Sequence, residues 1–167
     1  KQAMVDFLNL VMAEPDIAKL PIMIEKAADY DVVIGSRYVK GGSLDTEWGW
    51  TRKLLSWWAN RIYIHLILHT RVYDATGGFR VWNSRVLHGI DRSIIRSNGY
   101  IFQAEMAYVT EQLGYTMFEV PIHFSERTAG QSKMDLKIQI EAALRVWQVL
   151  WRHRNLTPAN RQAAPEA

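Results

Sequence analysis

The chain has 167 residues, of which 49% are hydrophobic, and 20 Lys and Arg against 17 Asp and Glu give a formal charge of +3. That is enough for one domain with a real core and excludes a disordered polypeptide; zero cysteines exclude disulfides and thiolate metal centres and fit a reducing compartment. The mild positive charge suits an anionic ligand or an anionic membrane surface. The longest apolar run, Ile62 to Leu68, contains His65 and is too short to span a bilayer. Seven tryptophans either pack in the core or anchor the chain at a membrane interface. Lys1 to Ala13 offers no clear domain start, so the chain reads as a fragment or a processed product.

Ala13 to Ala28 has helical spacing, with Ile17, Leu20, Ile24 and Ala27 on one face and Pro21 forcing a kink or a late start. Tyr30 to Ser36 (YDVVIGS) reads as a buried parallel strand closed by Gly35. After a loop at Gly41-Gly42-Ser43, Thr51 to Leu68 resumes a helix, with Leu54, Leu55, Trp58, Ile62 and His65 or Leu66 on its apolar face. A turn-rich stretch from Asp74 enters a short strand, Phe79 to Trp82. Ser84 to Ile90 gives one or two helical turns, and Phe102 to Leu113 gives a helix stopped at Gly114. Thr116 to Phe124 is strand-like, with Pro121 marking an edge or a strand end. From Ser132 to Arg152 an amphipathic helix carries Leu136, Ile140, Ala143, Leu144, Trp147 and Trp151 on one side. The expected organisation is one α/β domain over 1–154, ending in the amphipathic helix 132–152, followed by a disordered polar tail over 155–167.

The richest chemical signal is Phe124 to Met134, FSERTAGQSKM. Arg127, Lys133, Gly130, Thr128 and Ser132 fall in one strand-to-helix connection, which suits a phosphate or diphosphate. Ser132 and Asp135 also have capping-box spacing.

Four weaker clusters accompany it. Arg37 follows the buried strand, where open α/β sheets collect ligands, although spacing alone favours a surface arginine paired to a nearby carboxylate. Arg52, Ser56 and Asn60 share a helix face beside Trp57 and Trp58, which suits a lipid-phosphate headgroup or simply a solvated face. Asp74 with Gly77, Gly78 and Arg80 reads as a close backbone approach to a ligand or as a plain tight turn. Gln103 and Glu105 reach a cleft, or else Gln103 faces the core and Glu105 faces solvent. No HExxH, GxSxG, P-loop or GxGxxG is present, His65 and His69 lack a convincing third metal ligand, and basic residues interleaved with acids form no nucleic-acid stripe.

The order DVVIGSRYVKGG, RKLLSWWAN, DATGGFRVW, GYIFQAEM, EVPIHFSERTAGQSKM resembles family 2 inverting glycosyltransferases, specifically polyprenol-phosphate (dolichol-phosphate) mannose synthases of the short type. The resemblance covers Pro15 to Trp151. It implies the C-terminal part of a GT-A, Rossmann-like nucleotide-sugar transferase fold with a terminal amphipathic helix. The implied reaction is transfer of mannose from GDP-mannose to a polyprenyl phosphate, with inversion, at the cytoplasmic face of a membrane. Arg37, Arg52 and Ser56 would lie on the acceptor-phosphate side. Arg127, Ser132 and Lys133 would meet acceptor phosphate or donor diphosphate. Asp74, Gln103 and Glu105 would act at the sugar, in a pocket with Gly77, Gly78 and Arg80.

The family uses Mg²⁺ or Mn²⁺ on a DxD motif. The corresponding stretch here, DFLNLVMAEP, has only Asp6 and Glu14, neither in register, so no metal ligand is assigned. The expectation is a chain that is inactive alone unless a separate N-terminal half, or a membrane-anchoring partner, completes it. A related lipid-phosphate glucosyl- or glycosyltransferase and a non-catalytic lipid-phosphate-binding module are the alternatives.

Overall fold

The computed structural model describes residues 16–44, 50, 54, 57–124 and 136–163. Its centre is β1 (Val32–Ser36), every residue of which is buried. Burial on both faces explains the unbroken apolar run. Val32 and Ile34 pack with Val72, Val86, Ile90, Met106, Val109 and Leu113. Val33 points the other way, among Met23, Phe79, Val120 and Ile122. At 25–30 cal/mol per Å² of apolar surface, each such side chain contributes about 1.5–3 kcal/mol.

Two strands flank β1: β3 (Arg80–Trp82) runs antiparallel and β4 (Met117–Pro121) parallel, in the order β3-β1-β4. Pro121 sits opposite Ser36 and ends β4, as its missing N–H requires. Beyond it, β5 (His123–Phe124) pairs in parallel with β2 (Ser43–Leu44). Where the sheet begins, Asp31 accepts hydrogen bonds from the Thr116 backbone and hydroxyl, both 2.9 Å, and from Arg85 Nε at 2.7 Å. Burial opposes ionisation of Asp31, but these donors win and hold its pKa below the ordinary value.

The first helix starts late. A 3-10 turn, Ile17–Lys19, precedes α1 (Leu20–Lys26), whose first turn takes Pro21 where no N–H partner is needed. Its inward residues are Met23, Leu20 and Ala27, whereas Ile17 and Ile24, expected on the same face, are exposed. After β3, Asn83 caps α3 (Ser84–Gly89) by accepting the Arg85 N–H. α4 (Gly99–Gln112) begins three residues earlier than Phe102 and stops at Gly114, whose φ of +74° suits glycine.

Two helical stretches turn their expected apolar faces outward. Trp50 and Leu54 are helical, a π-helix spans Trp58–Ile64, and α2 (His65–Leu68) follows it. The core receives Ile64, Ile67 and Leu68, while Leu54, Trp58, Ile62 and Leu66 are exposed. In α5 (Leu136–His153), Val146 and Val149 go inward and Leu144, Trp147 and Trp151 outward. Inward residues of α2, α4 and α5 form one cluster, joined by the Tyr63 hydroxyl donating to the Ala143 carbonyl at 3.1 Å. Each helical stretch carries two apolar stripes and a neighbour covers only one; residue size does not separate them, since Ile62 and Leu66 face out while Ile64 and Leu68 face in.

The tail also departs from expectation as far as residue 163. Leu156 packs on the core, Pro158–Asn160 forms a 3-10 turn under a Thr157/Asn160 capping box, and the Gln162 N–H donates to Gly89 O. Arg161 fastens the segment: Nε donates to Leu113 O at 2.7 Å, Nη2 to Gly114 O at 2.9 Å, and its guanidinium lies over the Tyr115 ring. These donors satisfy carbonyls left over at the end of α4.

Candidate functional site

The carboxyl end of β1 delivers Arg37 to the mouth of the sheet. Gly35 permits this by letting the chain pass close to its neighbours; a Cβ there would lie 2.8 Å from Phe79 Cδ1 and 3.1 Å from Ile122 Cγ2. Arg37 then meets Asp74, 37 positions later. Nη2 donates to Oδ1 and Nε to Oδ2, each at 2.7 Å, and the Arg37 backbone N–H donates to Oδ2 at 3.0 Å. Thr76 Oγ1 takes a further Nη2 bond at 3.1 Å, and the guanidinium lies over the Tyr38 and Phe124 rings. Asp74 is wholly buried, and its Oδ1 also accepts the Gly77 N–H at 3.0 Å.

Asp74 is itself held by a residue that the sequence reading did not single out. Glu119, in the middle of β4, accepts the backbone N–H groups of Tyr73 and Asp74, each at 2.9 Å. Burial pushes its pKa up, aided by the Asp74 charge and opposed by hydrogen bonds from Tyr73, Ser36 and Asp74. An acid within an otherwise apolar strand was the available signal.

Arg80 closes the cluster. Nε donates to Gly77 O at 2.8 Å, Nη2 to Ala75 O at 2.6 Å and Nη1 to Gln103 O at 3.1 Å. Burial lowers its pKa to about 10, against the pull of Asp74 and Glu119, so it remains a cation at neutral pH. It staples the 74–78 turn to α4 through main-chain carbonyls.

The structure therefore brings together Arg37, Asp74, Gly77, Arg80 and the backbone of Gln103. Gly77 is buried against Gly35 O and the Asp74 carboxylate, whereas Gly78 is exposed. It does not bring in Glu105, which is fully buried with both oxygens bonded to other parts of the chain. The expected pairing of a core-facing Gln103 with an exposed Glu105 is reversed, since Gln103 is half-buried and Glu105 is the core residue. Arg52, Ser56, Arg127, Ser132 and Lys133 lie outside the described residues.

Chemically the cluster is a rigid arginine mount. Asp74 accepts four donors and so has no oxygen spare for a metal or a hydroxyl. Among the described residues, no three His, Asp or Glu come together in a way that could hold a metal ion. The divalent cation implied by the resemblance does not fit these residues.

A mixed α/β sheet with a charged cluster at the carboxyl end of its central strand is the layout of a Rossmann-like glycosyltransferase. Sequence comparison agrees. An undecaprenyl-phosphate mannosyltransferase of Micrococcus luteus is 41% identical over 128 residues, 77% of this chain and 52% of that protein. A polyprenol monophosphomannose synthase of Mycolicibacterium smegmatis is 38% identical over 122 residues, 73% of this chain and 44% of that protein. This chain is homologous to these polyprenyl-phosphate mannosyltransferases, and it spans about half the length of the relatives it matches. No protein-family model matches it.

Proposed function

We propose that this chain carries the acceptor side of a polyprenyl-phosphate mannosyltransferase, moving mannose with inversion from GDP-mannose to a polyprenyl phosphate. The observation that supports this most is the Arg37–Asp74 mount, seated at the carboxyl end of β1 in a chain about 40% identical to proteins bearing those names. A phosphomonoester with a second pKa of about 6 is already ionised near neutral pH. Its oxygen attacks the anomeric carbon, a new C–O bond forms, and the bond to the diphosphate breaks with GDP taking the electron pair. Such a reaction needs positioned anions and stabilised charge more than a general base.

In this reading Arg37, with Arg52 and Ser56, receives the acceptor phosphate. Arg127, Ser132 and Lys133 approach the acceptor phosphate or the donor diphosphate. Asp74 serves by holding Arg37, with Gly77 and Arg80 shaping the turn and Gln103 bordering the sugar. Mg²⁺ or Mn²⁺ accompanies the donor, held by residues other than those described, and would balance diphosphate charge when bound.

The exposed indoles support peripheral attachment at a membrane surface, and in this reading that surface is the cytoplasmic face. Trp50, Trp57 and Trp58, and Trp147 and Trp151 on α5, are exposed amphipathic side chains suited to an interface. No described helix is long and apolar enough to cross a membrane.

The test is to incubate the pure chain with GDP-mannose, Mg²⁺ and polyprenyl phosphate, and to measure acceptor binding by calorimetry. We expect acceptor binding that weakens about tenfold or more in Arg37→Ala, and no turnover until a nucleotide-binding half is supplied. Turnover by the chain alone would remove the claim of inactivity; absence of acceptor binding would remove the whole reading.

A further inference from the structure

Glu105 lies in α4 with no exposed surface, and its carboxylate bonds to four groups of the chain itself. Oε2 accepts the N–H groups of Arg96, at 3.1 Å, and Ser97, at 2.7 Å, from the segment entering α4. Oε1 accepts Nη1 of Arg152 at 2.6 Å and Nε2 of His153 at 2.7 Å, from the last turn of α5. A carboxylate committed in this way meets no substrate. Its influence must pass through the groups it grips.

Two of those groups, Arg152 and His153, sit at one end of an 18-residue helix. At 1.5 Å per residue α5 is about 27 Å long, and a grip on two adjacent residues fixes both its slide and its rotation. Its described inward residues Val146 and Val149 belong to one apolar cluster with Ile64, Ile67, Leu68, Ala104 and Tyr108, packing without direction. The outward stripe, Leu144, Trp147 and Trp151, is also apolar. A helix with two apolar stripes is ambiguous about which one faces in, and the hydrophobic effect alone does not choose between them. Buried His153, only 1% exposed, adds a directional side-chain bond on the inward side, alongside the Tyr63 hydroxyl's bond to the Ala143 carbonyl. A cavity of about 220 Å³ lined by Ser93, Ile94, Arg96, Arg152, His153 and Leu156 adjoins the grip and leaves room for the helix end to move once released.

We propose that Glu105 is the positioning residue of α5, fixing the helix rotation through Arg152 and His153 so that Val146 and Val149 face the core and Leu144, Trp147 and Trp151 face outward. The outward stripe is thereby offered to a lipid surface; that consequence rests on the membrane reading above, whereas the grip itself does not.

The experiment compares the wild-type chain, Glu105→Gln and Arg152→Met. Amide hydrogen exchange is followed in α5 and in β1, and partition is measured onto vesicles of phosphatidylglycerol and phosphatidylethanolamine. Glu105→Gln should speed exchange at residues 146–153 by about tenfold more than in β1, and should weaken partition by about fivefold. Arg152→Met, at a partly exposed site that tolerates change, should move both in the same direction by a smaller factor. Unchanged exchange in α5, or equal acceleration in α5 and β1, overturns the proposal. Faster α5 exchange with undiminished partition also overturns it, since Glu105 would then stabilise the helix without orienting its stripe. A wild-type chain that never partitions removes the membrane reading, and the exchange data still decide the grip.

Discussion

Arg37 and Asp74 are joined at two points, Nη2 to Oδ1 and Nε to Oδ2, both 2.7 Å, with the carboxylate wholly out of water and the arginine side chain 12% exposed. Removing one partner leaves a buried charge without its counterion, which costs about 3–5 kcal/mol. Arg37→Met and Asp74→Asn should each lower stability by that order in urea titrations, and the double variant should lose less than the sum of the singles. Additive losses would show that the pair is not coupled.

Glu105 makes stability depend on pH in a stated direction. Burial alone would raise its pKa, but His153, Ser97 and Arg152 bind the ionised form and hold it at about 2, against an ordinary 4.5. A depressed carboxylate contributes its stability above the unfolded pKa and loses it as pH falls through the folded one. The advantage of the wild type over Glu105→Gln should be about 3 kcal/mol at pH 7 and should shrink steadily between about pH 5 and pH 2. Denaturation midpoints across that range check it; a gap that does not change with pH refutes the sign.

Gly35→Ala tests the close approach beneath the arginine mount. The added methyl would meet Phe79 Cδ1 at 2.8 Å inside a filled core. Overpacking of this kind costs about 1–3 kcal/mol. Thermal denaturation should show the loss, and retained wild-type stability would mean that Phe79 and Ile122 yield freely.

Arg161→Ala addresses the docked tail. Losing the bonds to Leu113 O and Gly114 O and the stacking on Tyr115 should cost about 1–2 kcal/mol. Limited proteolysis should then cut within 155–163 faster than in the wild type, with the sheet still protected. An unaltered cleavage rate would show that Leu156 alone holds the segment.

Trp147→Ser with Trp151→Ser should leave the fold intact, because both side chains are exposed, 47% and 63%. Partition onto anionic vesicles should fall by about tenfold or more, since each indole contributes a large apolar area. Co-sedimentation measures it, and unchanged binding would place any lipid contact elsewhere.

β1 was legible because five consecutive residues buried on both faces leave an unbroken apolar run closed by Gly35. Pro21 and Pro121 announced a helix start and a strand end through the N–H each lacks. The helix faces were not legible in the same way. Trp58, Ile62 and Leu66 recur at helical spacing as regularly as Ile64, Ile67 and Leu68 do, and periodicity does not say which stripe a neighbour will cover. At the site, the sequence offered Arg37 a carboxylate partner, as the structure shows, but spacing did not say that the partner is Asp74. Glu119 was hidden by its strand, and Glu105 was misplaced because its partners, Arg152 and His153, lie 47 and 48 positions away.

The π-helical stretch Trp58–Ile64 has a bearing on how this protein could change. A helix bonded five residues back takes more residues per turn than the ordinary 3.6, so the angular phase of everything after it lags behind an α-helical count. Trp57 precedes that lag, and Ile67 and Leu68 follow it. A single residue deleted there would let the stretch relax to α geometry while α2 keeps nearly the same face inward, because the wide turns take up roughly the rotation of one extra residue. The stretch is thus where this chain absorbs a change of length without exchanging buried for exposed side chains.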